Sequence, residues 1–132
     1  MPPQSSRLVF FTSESHFFLE SYSVLSLTLV GSLTRENRLA FLECANQILQ
    51  SDAKWIILNF RDVDEHFDPE YVQLLGDLVL SIRKKGSAAR MSGLHPGIRR
   101  QLLERELVAP DELTNNLAEA LESIPSATLS AA

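Results

Sequence analysis

The sequence predicts an α/β fold, a mixed β-sheet of four to five strands packed against about four α-helices, and three observations carry that reading. An opening segment shows β-type alternation, with Leu25, Leu27 and Leu29 spaced two apart between Ser26 and Thr28. A short, nearly continuous apolar run, Trp55-Ile56-Ile57-Leu58-Asn59-Phe60, has the composition of a strand covered on both faces. Stretches of helical spacing alternate with these strands, the pattern of parallel strands joined by helices.

Taken in order, Leu8 to Thr12, His16 to Leu19 and Val24 to Val30 read as strands of a meander. Gly31 breaks the run, and Leu39, Phe41, Leu42, Ala45, Ile48 and Leu49 then share one face of a helix over about Thr34 to Gln50. Trp55 to Phe60 is the central, parallel strand, and an acidic loop follows it. Tyr71, Val72, Leu74, Leu75, Leu78, Val79 and Ile82 repeat at helical spacing up to Arg83-Lys84-Lys85-Gly86, where a basic last turn and a glycine mark the end. Ala88 to Ser92 is a weak strand. His95-Pro96-Gly97 punctuates the chain before Ile98, Leu102, Leu103 and Leu107 form a third helix, and Leu113 to Ile124 forms a fourth.

At 132 residues the chain is long enough for one domain with its own core. Residues 8–123 are expected to form it, with an N-terminal tail at 1–7 and a flexible C-terminal tail at 124–132. Seventeen acidic residues against 12 basic ones give a net charge of −5, which disfavours binding nucleic acid by neutralising phosphates. The longest uncharged stretch, Ser21 to Thr34, is shorter and more polar than the roughly 20 apolar residues a membrane span requires. No targeting segment is apparent, and the single cysteine, Cys44, forms no disulfide within the chain, so a cytoplasmic location is expected.

The most informative stretch is Arg61-Asp62-Val63-Asp64-Glu65-His66-Phe67-Asp68-Pro69-Glu70. Asp68 suits an N-cap, Pro69 the first helical position, and Glu70 the positive end of a helix dipole. Alternating acids here resemble the opening of a calcium loop, but Phe67 sits where that loop needs glycine and Gln73 where it needs a bidentate glutamate. No metal site and no cofactor are therefore expected. Gly-x-Ser-x-Gly, P-loop and His-Glu-x-x-His motifs are absent, and His16, His66 and His95 fall in different elements, so no catalytic constellation is evident. Cys44 reads as a small core residue. Charge is unevenly placed, with residues 62–77 acidic and six of the 12 basic residues between Arg83 and Arg100. Either a partner of mixed charge or ordinary solvated helix faces would explain this.

Three segments together resemble a known family. They are Val24-Leu25-Ser26-Leu27-Thr28-Leu29-Val30-Gly31-Ser32-Leu33, Trp55-Ile56-Ile57-Leu58-Asn59-Phe60-Arg61-Asp62-Val63, and Gly93-Leu94-His95-Pro96-Gly97-Ile98-Arg99-Arg100-Gln101-Leu102-Leu103. In combination they resemble a STAS domain, the fold of bacterial anti-sigma factor antagonists, over roughly Leu8 to Leu121. In that family an Asp-Ser-Ser-Gly loop follows the central strand, and its second serine is phosphorylated by an anti-sigma factor that is also a kinase. Matched without gaps from Leu58, the aspartate position is Phe67, the first serine Asp68, the phosphoacceptor Pro69 and the glycine Glu70. The acidic residue that commonly follows Gly-x-Leu after the second strand is Thr34.

The resemblance implies a non-enzymatic regulatory module of bacterial transcription. Its partner would be an anti-sigma factor or Ser-kinase-like regulator, bound through Glu65, His66, Phe67, Asp68, Pro69 and Glu70 at the start of the second helix. Pro69 is a degenerate phosphoacceptor position, and Asp68 and Glu70 place fixed charge where a phosphate would add about −1.5 to −2. Ser87 and Ser92 are hydroxyls to which phosphorylation could have moved. A homodimer is a possible assembly. The alternative is a structural subunit of a transport or stress-signalling complex, as STAS-like domains also supply.

Overall fold

The computed structural model describes residues 10–19 and 22–124, and for residues 10–16, 18 and 19 it describes the backbone alone. The expected tails at 1–7 and 125–132, and Leu8 and Val9 of the first expected strand, lie outside the described residues. Five strands form one sheet in the order β1-β2-β3-β4-β5. They are β1 (Phe10–Leu19), β2 (Tyr22–Leu33), β3 (Trp55–Phe67), β4 (Ala88–Ser92) and β5 (Leu113–Thr114). The helices are α1 (Arg38–Leu49), α2 (Glu70–Lys84), α3 (Pro96–Glu104) and α4 (Leu117–Glu122), with short 3₁₀ turns at Arg35–Asn37 and Pro110–Glu112. The sheet is mixed: β1 runs antiparallel to β2, while β2, β3, β4 and β5 are parallel neighbours.

Each parallel connection steps one strand in the same direction, so the constant hand of such crossovers puts α1, α2 and α3 on one face. The main core lies there. Leu25, Leu27, Leu29 and Leu33 of β2, Ile56, Leu58 and Phe60 of β3, and Ala89 and Met91 of β4 meet Phe41, Cys44 and Ile48 of α1, Tyr71, Val72, Leu75 and Val79 of α2, and Leu102 of α3. Period-two alternation sends Val24, Trp55 and Ile57 to the opposite face, where Ala120 of α4 and Ile124 cover them. Arg90 lies over the Trp55 ring at 4.8 Å, adding a cation–π contact on that side.

The structure departs from the sequence reading at six places. The two expected β runs before Leu19 are one strand, because β1 pairs without a break from Phe10↔Gly31 to Leu19↔Tyr22 across the polar Ser13-Glu14-Ser15. The acidic loop after Phe60 is the second half of β3, held by β2 through Val30↔Asp62, Gly31↔Val63 and Leu33↔Phe67 with two register shifts. A 3₁₀ turn occupies the expected first turn of the helix after β2, which begins at Arg38. The third helix ends at Glu104, short of Leu107, and Glu106 follows with φ of 55°. The expected fourth helix divides into β5 and α4, since Leu113 and Thr114 pair with Met91 and Ser92 before Asn116 caps the shorter helix. Ile124, assigned to the tail, is buried in the second cluster.

Candidate functional site

β3 is longer than its neighbour β4, which pairs with it only from Trp55 to Asn59. The remaining length carries the acidic segment alongside β2 and delivers residues 65–70 beside the turn that leaves β2. Backbone bonds fix this junction: the Asp68 N–H donates to the Leu33 carbonyl at 2.9 Å, and the Tyr71 N–H donates to the Asp68 carbonyl at 3.0 Å. Glu65, His66 and Pro69 are exposed, and Phe67, Asp68 and Glu70 are half-buried. The six residues singled out in the sequence thus lie together at the surface where β3 enters α2. Phe67 is more enclosed than a free apolar anchor, since it packs against the main core.

Asp68 does not cap α2 through its side chain; Pro69 holds the N-cap position and Glu70 is the first helical residue. The Asp68 carboxylate instead accepts the Arg35 N–H at 2.5 Å, satisfying a donor at the start of the 3₁₀ turn. The reason is proximity: the extended β3 places Asp68 beside β2's exit, where that N–H is otherwise without a partner. Ser32 Oγ donates to Asp64 at 2.7 Å, which ties the two segments together, and Asn37 Nδ2 donates to the Ser32 carbonyl at 2.9 Å within the β2 exit. Tyr71, fully buried, donates its hydroxyl to the Thr34 carbonyl at 2.7 Å and meets Phe41 edge-on at 5.2 Å. Burial, reinforced by the charges of Glu70 and Asp68, pushes the Tyr71 phenol up to about 12.

Sequence reasoning missed the contribution of Thr34, Arg35 and Arg38. Arg38 stands 3.7 Å from Glu70, an ion pair open to solvent. Thr34 Oγ1 and Glu70 Oε2 are both buried without a hydrogen-bond partner, so this junction holds unspent polar capacity. The sequence signal was the break at Gly31 followed by Thr34-Arg35-Glu36, read there as the start of a helix. Of the two serines named as other hydroxyls, Ser92 is fully buried in β4, and Ser87 is half-buried and donates its Oγ to the Ala53 carbonyl at 2.7 Å.

No protein-family model and no curated protein matches this chain. Solved structures do. The crystal structure of an anti-sigma factor antagonist from Mycobacterium paratuberculosis superposes with a TM-score of 0.70 at 13% identity, covering 89% of this chain and 95% of that one. The antagonist SpoIIAA in its unphosphorylated form gives 0.54 at 15%, over 86% and 100%. The murine Slc26a9 anion transporter in its inward-facing state gives 0.69 at 12%, over 92% of this chain and 23% of the transporter, so the chain spans under a quarter of that protein's length. The chain has a STAS-like fold, as the three sequence segments implied. Among the described residues no helix is long and apolar enough to cross a membrane.

Proposed function

We propose that this protein is a non-enzymatic, protein-binding regulator of the anti-sigma factor antagonist type, acting in the bacterial cytoplasm. Its partner, an anti-sigma factor or Ser-kinase-like protein, docks on the β3–α2 junction. The observation that carries this reading is the junction itself. A surface formed by Glu65, His66, Phe67, Asp68, Pro69 and Glu70 is braced by the β2 exit and holds three carboxylates, and the phosphoacceptor position is a proline. Fixed charge replaces switchable charge, so the module is set permanently rather than toggled by a kinase at this position.

The test is binding of a Ser-kinase-type anti-sigma factor from the same cell to the wild type and to a Glu65→Lys, His66→Ala double variant. Both side chains are exposed, so the variant keeps its fold. A loss of roughly tenfold or more in affinity is expected for a charge reversal inside an interface. Unchanged binding removes the junction from the contact. A tight stoichiometric complex that survives the double variant would favour the structural-subunit reading instead.

A further inference from the structure

On the sheet face opposite α1 and α2, beyond the end of α4, lies a cavity of about 210 Å³ lined by Thr28, Asn59, Arg61, Gly93, Asn115, Asn116 and Leu117. It is separate from the β3–α2 surface and independent of the function proposed there. The hydrogen bonds of its lining divide sharply. On the outer wall, Asn115 accepts from Arg99 at 2.8 Å and donates through its amide to Glu119, and Asn116 Oδ1 accepts the Glu119 N–H at 2.8 Å. On the sheet side, Asn59, only 5% exposed, accepts the Arg61 N–H on its Oδ1 at 3.2 Å, which leaves its NH₂ as the group presented. That NH₂ has only a long 3.5 Å contact to Thr28 Oγ1. Arg61 at the mouth has a 76% exposed side chain and one loose 3.6 Å contact, from Nε to Asp62.

The groups the lining leaves able to donate are thus the weakly held Asn59 NH₂, the Thr28 hydroxyl proton and the terminal nitrogens of a guanidinium. We infer that this cavity binds a small carboxylate, whose oxygens accept from the Arg61 guanidinium and the Asn59 amide while its short carbon chain lies against Leu117. A single guanidinium with Asp62 beside it balances a monoanion better than a dianion, and the planar fork matches a carboxylate's two oxygens. The volume, about seven water molecules' worth at roughly 30 Å³ each, suits a ligand of a few heavy atoms.

The experiment is a titration of the ¹⁵N-labelled full chain with sodium propionate at constant ionic strength, followed by amide chemical shifts. Propionamide and inorganic phosphate serve as parallel titrants, and Arg61→Gln as the variant. Saturable shifts clustered on Asn59, Arg61, Gly93 and Leu117 with propionate, weakened roughly tenfold in Arg61→Gln, are expected. Arg61 is exposed, so its replacement leaves the fold intact. Equal response to propionamide, preferential saturation by phosphate, unchanged binding in Arg61→Gln, or propionate shifts that do not cluster at the cavity would each overturn the proposal.

Discussion

Tyr71 shows how a single side chain ties the core to the candidate site. Its ring fills the space between α1 and the sheet, and its hydroxyl reaches the carbonyl of Thr34 at the β2 exit. Tyr71→Phe keeps the ring but strands that carbonyl, so a loss of about 1–2 kcal/mol is expected in urea unfolding. The same residue sets an alkaline limit. Because the folded phenol is raised to about 12 from an unfolded value near 10, it contributes stability fully present below pH ~10 and lost as pH rises toward 12. Comparing the wild type with Tyr71→Phe across that range checks the sign, since the variant lacks this term. Glu112 sets the acid counterpart. Burial raises its carboxyl, but hydrogen bonds from Arg83 and the Ala109 N–H, with the charges of Arg83 and Arg90, outweigh this and hold it below the ordinary carboxylate value. Arg83 Nε donates to Glu112 Oε2 at 2.8 Å, joining α2 to the turn before β5. Glu112→Gln is expected to cost about 1–3 kcal/mol at neutral pH. A folded value below the unfolded one means that this stability is present above about pH 4 and fades as pH falls further. Unfolding curves of the two proteins should therefore converge in acid.

At the scale of elements, close approach rather than propensity decides how α2 packs against the segment that follows α3. Gly76 in α2 faces Leu107, and a Cβ there would lie 2.8 Å from the Leu107 Cβ. Alanine is the better helix former by about 1 kcal/mol, yet Gly76→Ala should destabilise by about 1–2 kcal/mol because the crowded atom is next to the Leu107 backbone and cannot swing away. Thermal unfolding checks the sign. The elements most legible in the sequence were those whose periodicity is repeated. Seven apolar positions placed α2, and a basic last turn with Gly86 at φ of 90° ended it within a residue. Short or polar elements were not legible. The second half of β3 reads as a loop because Asp62, Asp64, Glu65 and His66 face water, and only pairing with β2 makes it a strand. β5 has two residues, too few for any period, and exists because β4 offers it an edge. The six residues of the candidate site were visible as a charge cluster. Their brace was not, because Asp68 reaches Arg35 across 33 positions of sequence.

For the whole molecule, a five-stranded STAS-like sheet carries the proposed partner surface at the β3–α2 junction, where Pro69 stands at the position matched to the resembled family's phosphoacceptor serine. Restoring a hydroxyl there gives a direct consequence: Pro69→Ser should accept phosphate from a Ser-kinase-type anti-sigma factor, and the wild type should remain unmodified at residues 65–70 by mass spectrometry. The position is exposed, so access does not limit the reaction. The most direct measurement is hydrogen exchange of the full chain alone and in complex with that partner. Slowed exchange confined to residues 65–73 and 34–38 is the expected footprint. Protection centred on α4 and the opposite sheet face, with residues 65–73 unchanged, would contradict it.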